Sequence, residues 1–130
     1  MGISQFDEQK PVIAAVSWGD SDFPAPVSFW GYDGRILRLD SITITTDDTV
    51  DNALIFWVFH HTFASGILGT IPIPAGAGTD PLVPAVDAMP LLAPTLLAFF
   101  GTIDEALGAA PLAAPSSGKF IYVTAQGGVL

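Results

Sequence analysis

Residues 53–61 read ALIFWVFHH, with six large apolar side chains in nine positions. A strand that covers a core from one side alternates apolar and polar residues. Here Ala53, Ile55, Trp57 and Phe59 fall on one face of such a strand, and Leu54, Phe56 and Val58 fall on the other. The run therefore predicts a strand covered on both sides. The polar stretch before it, from Asp47 to Asn52, predicts a solvated turn.

The same reading extends along the chain. Val12 to Val16 predicts a first strand. Ile36 to Thr46 predicts another, but its alternation slips: Leu37 and Leu39 share one parity, Ile42 and Ile44 the other. A β-bulge near Asp40 and Ser41 reconciles the two phases by adding one residue. Ile67 to Ile73 alternates again, and Pro72 and Pro74 put its end on a sheet edge. Lys119 to Ala125 closes the series. Tyr32-Asp33-Gly34-Arg35 is a tight-turn signal, because Asp-Gly tolerates the positive φ such turns need. From Pro94 to Ala109, Leu96, Phe99, Phe100, Ile103 and Leu107 recur at helical spacing, and Thr102 with Glu105 matches a capping box. This segment predicts the single helix, at about residues 95–109.

Eleven prolines and thirteen glycines cut the chain into short runs, which favours an all-β domain with many turns. The expected fold is one antiparallel β-sandwich over residues 1–130, jelly-roll-like, with at most one short helix. Residues 1–11 read as an N-terminal arm and residues 81–117 as an Ala/Pro/Leu-rich insertion. The cover for the outer face of the 53–59 strand is then either the Pro94 to Ala109 segment or a neighbouring subunit, and the intrachain segment is favoured.

Composition narrows the function. Charged residues make up 13% of the chain, about half the usual share, while 50% is apolar, so the composition argues against disorder and part of the surface is expected to be covered. Thirteen acidic residues against four basic ones give a net charge of −9, which argues against a nucleic-acid partner. The absence of cysteine excludes disulfides and thiolate chemistry. The longest dense apolar stretch, Leu91 to Phe100, spans ten residues and contains Pro94, well short of a membrane span. The polar N-terminus lacks the features of a signal peptide.

Candidate chemistry is sparse. His60 and His61 are adjacent, so on a strand they point to opposite faces and do not share a metal. Asp47, Asp48 and Asp51 lack the spacing and the glycine of a calcium loop, and Asp20 and Asp22 in GDSD come closer to a loop chelate but stand alone. No serine sits in a nucleophile motif, and the glycines at 76 and 78 lack the rest of a phosphate loop. We therefore expect no enzyme activity, no cofactor and no metal. Trp18, Phe23, Phe29, Trp30 and Tyr32 crowd the N-terminal third and form the candidate interface. Loop aromatics of this kind also suit a carbohydrate- or receptor-binding module.

RILRLDSITI, TTDDTVDN, ALIFWVFH, ILGTIPI and the terminal KFIYVTAQGGVL occur in an order that resembles a family of small β-sandwich virion proteins of tailed bacteriophages. The resemblance covers about half the chain and rests on the order of the pieces and the Gly-Gly ending. It implies a structural protein that decorates or cements the phage head, made in the host cytoplasm. The implied partners are the major capsid protein and copies of itself, with a trimer the expected cluster. A component of a head-to-tail or tail joint is the alternative.

Overall fold

The computed structural model describes residues 11–22, 26–31, 37–60, 66–92, 100–101 and 105–129. Nine strands and one short helix lie within them: β1 Pro11–Trp18, β2 Val27–Gly31, β3 Leu37–Thr46, β4 Asn52–His60, β5 Gly66–Ile73, β6 Val86–Asp87, α1 Met89–Leu92, β7 Phe100–Gly101, β8 Glu105–Pro111 and β9 Ile121–Val129. All described pairings are antiparallel. One sheet runs β1-β9-β3 with the two-residue strands β6 and β7 on the far side of β3; the other runs β2-β8-β4-β5.

This order has a simple origin. β4 pairs with β5, β3 with β6, β2 with β8 and β1 with β9, so the chain behaves as one long hairpin whose tip lies between β4 and β5. Successive pairs fall alternately in the two sheets. A hairpin wound up in this way is a jelly roll. The expected all-β sandwich is the fold observed.

The pattern of the sequence explains most of the strands. β3 carries the anticipated bulge: Leu39 faces Gly127 and Ser41 faces Gln126, leaving Asp40 as the extra residue. That bulge puts Leu37, Leu39, Ile42, Ile44 and Thr46 all on the buried side. β5 is an edge strand, as its prolines require. β9 extends beyond Ala125 through Gly127 and Gly128, and Gly127 has a structural task there. A side chain at Gly127 would strike the Arg38 carbonyl and come within 2.8 Å of the Trp30 ring.

Between the sheets, Trp18, Ile42, Ile44, Ile121 and Val123 meet Phe29, Trp30, Leu54, Phe56, Ile73 and Leu107. Phe29 and Phe56 pack edge to face, with ring centroids 6.3 Å apart. The buried Trp30 indole N–H donates to the Leu37 carbonyl, which satisfies its one polar atom.

Two expectations are corrected. Residues 105–109 are not helical; they form most of β8, which lies in the middle of its sheet between β2 and β4. The only helix among the described residues is α1, one turn long, started by Asp87 accepting the Met89 amide and closed by Leu92 in the core. Residues 93–99 and 102–104 of the expected helix lie outside the described residues. Nor is 81–117 an insertion, since it supplies β6, β7 and the central β8. Residues 1–10 of the expected arm and the turn at residues 32–35 lie outside the described residues.

Candidate functional site

Three regions could carry function, and hydrogen bonding separates them. The first is the acidic turn after β3. It borders an open depression of ≈ 440 Å³ lined by Asp47, Asp48, Thr49, Ala75, Gly76, Thr79 and Asp80. Its carboxylates are engaged by backbone donors. Asp47 accepts the Phe120 amide at 2.8 Å, Asp48 accepts the Ser116 amide at 2.9 Å, and Asp80 accepts the Leu82 amide at 2.9 Å. Nearby, Asp51 accepts the Ala75 amide, and Asn52 exchanges hydrogen bonds with Ala113. Thr46 donates to the Phe120 carbonyl and accepts the Asp48 amide.

The expected solvated turn is therefore a hub that ties the 74–80 and 112–120 loops to β3 and β4. Asp48 and Thr46 are buried in it. Burial pushes the Asp48 carboxyl up, but the Ser116 amide and hydroxyl and the Val50 and Thr49 amides outweigh it. The carboxyl is held below its ordinary value. Asp22 has a similar smaller part, accepting the Gly19 amide in the turn after β1. The described residues hold no cluster of three His, Asp or Glu arranged around a metal position.

His60 stands apart from this hub. His60 ends β4 and Asn52 begins it, so His60 and the acidic turn lie at opposite ends of a strand roughly 27 Å long. His61 lies outside the described residues.

The third region is the outward face of the β2-β8-β4-β5 sheet. Residues directly opposite in a pair share a face, so the register defines it. Trp57 faces Ile67 on β5 and Gly108 on β8; Ile55 faces Thr70 and Ala110; Phe59 faces Ala106. Ile67 joins this set because β5 has one extra residue where Phe56 gives way to Trp57. The Trp57 and Phe59 rings stack at 6.3 Å. The β8 row is small because the β4 row leans over it: any side chain at Gly108 would run into the Phe59 ring. Ile55, Trp57 and Phe59 stay half-buried, and Ile67 is 62% exposed. None of these residues is charged.

This face was readable in ALIFWVFHH as a two-sided apolar strand; of the segment expected to cover it, residues 94–99 and 102–104 lie outside the described residues. Residues 105–109 lie beside β4 in the same sheet, and residues 100–101 pair with β3 in the opposite sheet. Neither lies over the Trp57 row. The expected interface residues are also corrected. Trp18, Phe29 and Trp30 are interior, at 0%, 9% and 1% exposure, so their apolar area is spent on packing within the chain. Phe23 and Tyr32 lie outside the described residues.

The chain matches no known protein family, no curated protein and no solved structure.

Proposed function

We propose that the protein is a structural assembly protein that docks on another protein through the outward face of the β2-β8-β4-β5 sheet. In its concrete form, it decorates or cements the head of a tailed bacteriophage. The observation that carries this reading is an uncharged apolar sheet face on a chain of net charge −9. Apolar area left outside a sandwich is stabilised when a partner removes it from water, and such faces mark interaction sites. A decorating protein needs no reacting groups, and its binding stabilises whichever shell it prefers. The sequence resemblance makes the capsid lattice the partner. A sugar-binding reading through Trp18, Trp30 and Tyr32 loses support because Trp18 and Trp30 are buried.

The test is to add purified protein to expanded, undecorated capsids of its own virion. Co-sedimentation and a rise in capsid melting temperature are expected. Ile67→Asp should abolish both while the isolated chain keeps its own melting temperature. Absence of binding by the unaltered chain, or equal binding by Ile67→Asp, would overturn the reading.

A further inference from the structure

Two aromatic rings stand on the outward side of the β1-β9-β3 sheet, at the end next to the acidic hub. Phe120, the residue before β9, is 38% exposed, and Tyr122 is 41% exposed. Their centroids lie 6.0 Å apart, with the ring planes tilted by 33°. Phe120 is fixed from three sides. Its amide donates to Asp47 and its carbonyl accepts the Thr46 hydroxyl, each at 2.8 Å. Gly19 leaves the space in which the ring lies, since a side chain there would come within 2.8 Å of it.

Beyond the rings this face is polar and carries little charge. Register sets Ser17 and Thr45 on either side of Tyr122, Thr43 beside Thr124, and Ser41 beside Gln126. From Tyr122 to Gln126 the strand runs about 13 Å. Asp87, opposite Thr43 on β6, adds a carboxylate at the margin.

We infer that this face binds a neutral carbohydrate, whose sugar rings stack on Phe120 and Tyr122 and whose hydroxyls pair with the Ser, Thr and Gln side chains. A sugar ring offers two chemistries at once. Its C–H groups carry slight positive charge and suit the negative face of an aromatic ring. Its hydroxyls donate and accept as water does, so they can replace the water on Oγ and amide groups without leaving these unpaired. Charge selects the kind of sugar. The rows hold no cation, and a chain of −9 with Asp47 and Asp87 close by repels phosphate, sulfate and uronate groups. A Phe120 ring held in place before the ligand arrives loses little freedom on binding. The outward faces of a sandwich point in opposite directions, so a copy docked through the β2-β8-β4-β5 sheet keeps this one open. The sugar site does not depend on that docking.

The test is native electrophoresis of the whole chain in gels cast with dextran, mannan or laminarin, beside a plain gel and one cast with polygalacturonate. At least one neutral polymer should retard the chain, and the anionic one should not. Tyr122→Ala should weaken the retarding affinity about tenfold, while Tyr122→Phe keeps most of it. Thr43→Val with Thr124→Val keeps the branched shape, removes two hydroxyls and should weaken it about fivefold. Both altered positions face outward, so melting temperature and capsid binding should stay as they are in the unaltered chain. Failure of all three neutral polymers to retard the chain would overturn the inference. So would retardation that survives Tyr122→Ala, equal retardation by polygalacturonate, or equal loss with Ile67→Asp on the other sheet.

Discussion

The outward faces of the two sheets differ as sharply as any two regions of this molecule. On the β1-β9-β3 sheet the apolar outward residues Ile13 and Ala15 lie on the edge strand β1, facing Gln126 and Thr124, while Ser17 and Thr45 face Tyr122, Thr43 faces Thr124, Ser41 faces Gln126, and Arg38 pairs with Asp40 at 2.9 Å. On the other sheet, Ile55, Trp57, Phe59 and Ile67 stand over Ala106, Gly108 and Ala110. Both inner faces are equally apolar because both line one core. The outer faces are free of that demand, so the first suits water and the second suits the protein partner proposed for it.

Substitutions can break this comparison at graded cost. The largest effect should come from the inner side of β4. Phe56→Ala is expected to lose about 3–5 kcal/mol in denaturant unfolding, since the ring is fully buried against Phe29. Next comes the hub beneath both sheets. Asp48→Ala leaves the Ser116 and Val50 amides without their acceptor and should cost about 2–3 kcal/mol.

The hub also sets a pH dependence. The folded carboxyl of Asp48 lies below its ordinary value of 3.8, so its contribution is complete above that value. It is lost as the pH falls through the lower folded value. Asp48→Asn should flatten this acid limb of a melting-temperature profile, leaving the limb contributed by the other carboxylates.

Trp57→Ala, one residue along from Phe56 and on the opposite face, should cost only about 1 kcal/mol in the isolated chain. Its binding to capsids should fall by tenfold or more, which is about 1.4 kcal/mol in that assay. The smallest effect belongs to the polar face. Thr43→Ser should change stability by less than about 0.5 kcal/mol and leave binding unaltered. If Thr43→Ser and Trp57→Ala affect binding alike, the two outer faces are not functionally distinct.

Much of the sandwich was legible because alternation is a local signal. The bulge at Asp40 followed from two phases within one strand, and the edge position of β5 followed from Pro72. β8 was illegible for a physical reason. EALGAAP opens with the good helix formers Glu105, Ala106 and Leu107, and Leu107 completes a helical spacing with Phe100 and Ile103. Only the fold shows that these residues are small because the Phe59 ring overlies one side and the core lies on the other. Tertiary position overrode propensity.

The hub was hidden differently. Asp47 and Asp48 look like solvated acids until the amides of Phe120 and Ser116, some seventy residues away, are known to point at them. The proposed docking face was half legible. Its apolar excess was plain in ALIFWVFHH, whereas the aromatic residues Trp18, Phe29 and Trp30 attracted the interface reading and turned out to be core. Aromatic density in sequence does not tell an anchor from a core residue; register does.

The place of β9 has a consequence for synthesis. It follows every other strand in the chain, yet it lies between β1 and β3 and bonds to both. Until β9 has left the ribosome, β1 has no neighbour in its sheet and β3 has only the two short strands β6 and β7. Pairing Val12 with Gly127 closes a loop of nearly the whole chain, the kind of long-range contact that slows folding. The nascent protein therefore carries two open strand edges and an unsealed core while translation proceeds. Closure of the sandwich waits for β9, and a chain stalled before residue 121 is exposed to aggregation in a way that the finished sandwich is not.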